Sequence, residues 1–118
     1  ILEAEEKLEW SRECIEKKAY ADGIYNAYGA FIHSAKALLL QQGVQCNTQA
    51  GILKDFDTHF TQNNLYTESD SFKETVLQMN NSAPSEEFAI SYLRKAKDFI
   101  EFAKQFRERI VLTEKEAV

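Results

Sequence analysis

The chain has 118 residues, of which 44% are hydrophobic and 28% charged, with 4 Gly and 1 Pro. That excludes a disordered polymer and favours one domain of long helices over an all-β fold. Its 14 Lys and Arg against 19 Asp and Glu give a net charge of −5, so the overall field opposes sequence-independent nucleic-acid binding, which relies on neutralising phosphates.

No apolar run approaches the roughly 20 residues a membrane span needs. The opening Ile1-Leu2-Glu3-Ala4-Glu5-Glu6 is acidic where a signal peptide is basic. Cys14 and Cys46 have no CxxC spacing and read as free thiols of a cytoplasmic protein. The chain does not open with Met, so the expectation is a single domain, residues 1–118, that forms the C-terminal module of a larger protein.

In chain order, residues 2–18 place Ala4, Leu8, Ile15 and Ala19 at helical spacing, with Trp10 and Cys14 on a neighbouring strip. The stretch Tyr20 to Gln42 is the most apolar. Tyr20, Ile24, Ala27, Tyr28, Phe31, Ala35 and Leu38 recur at steps of three and four, and Tyr25, Ile32 and Leu39 add a second strip. A helix apolar around so much of its circumference is central. One narrow strip differs: Asp22, Asn26, Gly29, His33 and Lys36 are polar or small.

Gly43 stops this helix, and Thr48 caps a short one over 51–60 with Leu53, Phe56 and Phe60 inward. Asn63-Asn64 marks a turn. Thr67 to Asp70 offer caps for a helix over 71–80 with Phe72, Val76 and Met79 inward. Pro84, a Ser82 or Ser85 cap and Glu86-Glu87 open the last helix. In it Phe88, Tyr92, Ala96, Phe99, Ala103, Phe106 and Ile110 form a bundle seam, and the tail after Leu112 frays.

The run Tyr25-Asn26-Ala27-Tyr28-Gly29-Ala30-Phe31-Ile32-His33-Ser34-Ala35-Lys36-Ala37-Leu38-Leu39-Leu40 resembles the second helix of HEPN domains. There an aromatic-rich stretch ends in Phe-x-His or Phe-His and is followed by Ala-x-Ala-Leu-Leu. Gly43, Thr48, Gly51, Phe56 and Phe60 are similar to that family's next loop and short helix. The resemblance implies an all-α, up-and-down bundle of four or five helices, often dimeric. It also implies one of three roles: ribonuclease, nucleotide binding or interaction module.

Two departures matter. Many relatives have Thr-His where this chain has Thr48-Gln49. The ribonuclease members use an Arg followed four to six residues later by His, and no Arg lies between Glu13 and Leu93, so neither His33 nor His59 has that partner. A narrower likeness joins residues 21–28, Ala35 to Leu40 and Asn47-Thr48-Gln49 to HEPN modules appended to bacterial sulfite or nitrite reductases. Two distant cysteines could not hold the four-Cys iron–sulfur centre of such an enzyme.

Asn26, Gly29, His33 and Lys36 are the ligand or interface candidates, with Gly29 leaving room for a ligand or a helix. The plainer reading makes His33 a satisfied histidine at the bundle edge. His59 beside Asp55 reads as a solvated pair short of a metal site, and Glu5, Glu9, Glu13 and Glu16 as a solvated face. Tyr20, Tyr25, Tyr28 and Tyr92 are assigned mainly to packing rather than base stacking. Arg94, Lys95, Lys97, Arg107 and Arg109 form an outer face diluted by Asp98, Glu101 and Glu108. Ser34 beside His33 makes no nucleophile–base pair, since helical neighbours diverge.

The expected function is a non-catalytic, non-enzymatic HEPN module for dimerisation or docking, as the C-terminal domain of a reductase. No catalytic residue, metal or cofactor is assigned. The expected partner is a second copy or another domain of the parent, with a nucleotide or small anion as a further ligand. Membrane and nucleic acid are disfavoured. The alternatives are a nucleotide or small-ligand binder, and a ribonuclease with a non-standard site.

Overall fold

The computed structural model describes residues 1–66 and 71–117. Among them are five α-helices and no strand. The all-α bundle expected from the spacing is therefore the fold.

Helix α1 (Leu2–Glu16) buries Ala4 and Ser11 completely, with Leu8 and Ile15 half-buried beside them. Trp10, on its neighbouring strip, is 49% exposed. The chain reverses through Lys17 to Ala19. Lys18 takes φ 65°, and the Ala19 N–H donates to Cys14 O at 2.8 Å. A left-handed non-glycine costs roughly 1–2 kcal/mol; the α1–α2 packing that the reversal permits offsets it.

Helix α2 (Tyr20–Gln41) is central, touching α1 and two later helices. The first expected core strip holds, but the second is corrected: Ile32 and Leu39 are buried, whereas Tyr25 is 67% exposed. Tyr25 stands on the outer side of the helix, which a step of seven alone does not reveal. Gly43 at φ 79° ends the helix, letting the Val44 N–H reach Leu39 O at 2.9 Å.

Thr48 caps helix α3 (Gln49–Phe56), its Oγ1 accepting from the Gly51 N–H at 3.0 Å. The helix widens into a π-helical turn, Asp57–Thr61, in place of a uniform helix over 51–60. There the Phe56 and Phe60 rings stack at 4.6 Å. The expected caps Thr67 to Asp70 lie outside the described residues. Ser71 caps helix α4 (Phe72–Leu77), accepting from the Glu74 N–H at 3.1 Å, and a 3₁₀ turn, Gln78–Asn81, follows.

Helix α5 (Glu86–Ala117) starts at a Ser85 cap. It continues past Leu112, where fraying was expected, because Glu114, Lys115, Glu116 and Ala117 favour helix and no Gly or Pro intervenes. At 32 residues it is about 48 Å long, matching the 50 Å length of the molecule. Its seam buries Tyr92, Ala96, Phe99, Ala103 and Phe106 against α2. Phe31, Phe56, Phe72 and Phe99 meet as one aromatic cluster, with Phe56–Phe72 at 4.4 Å and Phe72–Phe99 at 4.7 Å. Tyr92 ties α5 to α4 by donating to Val76 O at 2.7 Å.

Candidate functional site

The polar strip of α2 lies along its seam with α1, and α1 divides it. Towards the start of α2, Asn26 Nδ2 donates to Asp22 O at 3.0 Å and approaches Cys14 Sγ at 3.8 Å. The notch at Gly29 is filled by the stem of Lys7: a methyl group added there would lie 3.4 Å from Lys7 Cδ. The Lys7 ammonium then sits 5.0 Å from the centre of the Trp10 ring. Asn26 and Gly29 are thus half-buried against α1, with the Lys7 stem occupying the space beside Gly29.

His33 and Lys36 stay open. They are three residues apart on one face and share a shallow cavity of about 470 Å³ with Ile1, Leu2, Glu3, Ala37 and Leu40. The His33 side chain is 35% exposed, and its Nδ1 lies 3.1 Å from Glu3 Oε2. Leu2 and Leu40 are exposed at the rim. The arrangement combines an imidazole ring, an exposed ammonium, one carboxylate and an apolar border. Such a set can move a proton and receive an anionic group.

On the other side of α1 a second open cavity, about 780 Å³, is lined by Ile1, Glu5, Lys104, Arg107, Glu108 and Leu112. Lys104 Nζ lies 3.2 Å from Glu5 Oε1. Ile1 borders both cavities. Glu3 and Lys104 were not singled out by the sequence reading. In an antiparallel hairpin facing residue numbers keep a nearly constant sum, which places Glu3 opposite His33 and Lys7 opposite Gly29. That rule could have found Glu3, whereas Lys104 depends on the long-range packing of α5.

The other candidates resolve individually. Asp55 accepts from the Cys46 thiol at 2.8 Å instead of pairing with His59. That bond, with burial, pushes the Cys46 thiol up to about 11. Cys14 and Cys46 are both free thiols. Glu9 pairs with Arg12 within α1 and Glu5 with Lys104, and among the described residues no group of three His, Cys, Asp or Glu could hold a metal.

Tyr28 and Tyr92 are core residues, Tyr28 donating to Gln49 Oε1 at 2.7 Å, and burial raises both phenols above the ordinary value. Lys95 Nζ donates to Gln78 Oε1 at 2.8 Å, while Arg94, Lys97 and Arg107 are exposed. Ser34 is fully buried with no partner for its Oγ. No helix among the described residues is long and apolar enough to cross a membrane.

The chain matches the HEPN domain family over residues 1–114. It is 32% identical over 117 residues to a Methanocaldococcus jannaschii protein named "Putative toxin MJ0605", covering 92% of this chain and 86% of that one. No solved structure matches at the same stringency. Neither comparison supports the narrower likeness to reductase modules.

The expectation that the domain is not an enzyme is corrected here. A toxin-named relative in a family that commonly cleaves RNA points to enzymatic activity. That expectation rested on the missing Arg four to six residues before a His. His33 and Lys36, one turn apart on α2, both line the cavity of about 470 Å³. On its match and its fold alike, the chain belongs to the HEPN family.

Proposed function

We propose that the chain is a toxin-type HEPN ribonuclease in which His33 moves the proton and Lys36 meets the phosphate. One observation carries this reading. Two of the four polar-strip candidates, His33 and Lys36, line one open cavity, and their chemistry suits phosphoryl transfer. The match to a HEPN relative named a putative toxin supports this reading.

In this reading His33 takes the proton of an RNA 2′-hydroxyl as that oxygen bonds to the neighbouring phosphorus. The bond from phosphorus to the 5′-oxygen breaks, and the proton passes from His33 to the departing oxygen. The products are a cyclic phosphate and a free 5′-hydroxyl. The Lys36 ammonium offsets the charge gathering on the non-bridging oxygens. Leu2, Ala37 and Leu40 give a flanking base an apolar border. With a net charge of −5, affinity must come from this end of the bundle rather than from a broad basic surface.

Incubating the full chain with mixed single-stranded RNA, beside His33→Ala and Lys36→Ala, tests the reading. Wild type is expected to cleave, and His33→Ala to lose at least about 100-fold. Equal rates for wild type and His33→Ala, or no cleavage by wild type, would sink it.

A further inference from the structure

Two carboxylate–nitrogen contacts leave the first turn of α1. Glu3 runs to His33 on α2 at 3.1 Å, and Glu5 to Lys104 on α5 at 3.2 Å. They point to opposite sides, one into each of the cavities that Ile1 borders. Each places a carboxylate on a nitrogen that a phosphate oxygen would otherwise meet, since both offer an anionic acceptor to the same donor.

The turn that carries them buries little surface. Leu2 and the Glu3 side chain are 72% and 77% exposed. Ala4 is the fully buried residue of this turn, a single methyl group of anchorage, with Ile1 packed only partly against the core. A turn with so little burial opens at small cost compared with the rest of the helix.

We infer that the first turn of α1 is an acidic brake, in which Glu3 and Glu5 occupy His33 and Lys104 and must be displaced by a phosphate-bearing ligand. This deepens, and rests on, the reading of the His33–Lys36 cavity as the reacting end. The ligand class follows from the competition: an anion able to contact both sides of α1, such as a strand with successive phosphates. Displacement frees His33 for proton transfer and Lys104, beside Arg107, for a neighbouring phosphate.

The test is the full chain with Glu3→Gln and Glu5→Gln together. Glutamine still accepts a hydrogen bond from His33 Nδ1, so the ring keeps its partner while the competing charge is gone. Inorganic phosphate titrated into the protein, followed by the His33 ring signals in NMR, is expected to bind roughly three- to tenfold tighter, the effect of releasing two exposed pairs. Single-stranded RNA cleavage is expected to rise with it.

Glu13→Gln with Glu16→Gln makes the same charge change at the far end of α1 and is expected to leave both readouts unmoved. Unchanged phosphate binding in the first variant, an equal gain in the second, or slower cleavage in the first would overturn the brake. Slower cleavage would identify Glu3 as a positioning residue. If wild type cleaves no RNA, the ribonuclease reading fails while the phosphate titration still decides the brake.

Discussion

The two sides of α2 fill the interior in opposite ways. Towards α3, α4 and α5, the largest buried side chains are aromatic: Phe31, Phe56, Phe60, Phe72, Tyr92 and Phe99. Phe56 alone lies within 5.4 Å, centre to centre, of four other rings. Towards α1, the fully buried residues are small or polar, Ala4 and Ser11 facing a strip that includes Gly23, Ala27 and Ala30. Here Ser11 Oγ donates to Gly23 O at 2.6 Å. Ring burial supplies stability, while close backbone approach supplies a well-defined edge with little area behind it. His33 and its neighbours sit on the second kind of surface. A site there can change its contacts without unpacking the aromatic cluster.

The strongest way to break this contrast is Phe56→Ala. Phe56 is fully buried, so truncation is expected to lower unfolding stability by about 3–5 kcal/mol, measured by urea denaturation. A loss of under about 1 kcal/mol would mean that the aromatic side is not the stable one.

A finer test compares two glycines of the α1 seam. A methyl group at Gly23 would meet Ile15 Cγ1 at 2.8 Å and the Ser11 backbone oxygen at 3.2 Å. Gly23→Ala is therefore expected to cost about 1 kcal/mol despite its better helix propensity. At Gly29 the methyl meets only the flexible Lys7 stem at 3.4 Å, so Gly29→Ala is expected to gain up to about 1 kcal/mol. Thermal unfolding of both variants decides, and shifts of the same sign would show that α1 packs evenly along the seam.

The last test concerns Cys46. Its folded value of about 11 stands above the ordinary 9.0, so the unfolded chain loses this proton first. The stability it contributes is complete below pH 9 and lost as pH rises through 11. At pH 8, alkylation should mark half-buried Cys14 before buried Cys46, and Asp55→Ala should speed labelling of Cys46. Equal labelling in both proteins would remove the Asp55 contribution.

Local patterns foretold most of the helices. The steps from Phe88 to Ile110 mark the α5 seam, and Thr48 and Ser85 cap the helices assigned to them. Such features depend on neighbours three or four residues away and so are written in sequence order. The π-helical widening at Asp57–Thr61 and the exposure of Tyr25 depend on what packs across the helix, which spacing alone does not carry. The site was legible in part. The polar strip was visible, but which half α1 covers was not, and the Glu5–Lys104 pair joins residues that only the closed bundle brings together.

The reversal at Lys17–Ala19 has a consequence for folding order. It joins two long helices through three residues, so the α1–α2 hairpin closes a short loop at small entropic cost. Glu3, His33 and Lys36 all lie within that hairpin, whereas the contacts of Phe31 with Phe72 and Phe99 span much of the chain. Contacts local in sequence form early. Most of the proposed reacting face is thus encoded in one contiguous stretch, and its assembly does not await the long-range closure that stabilises the rest.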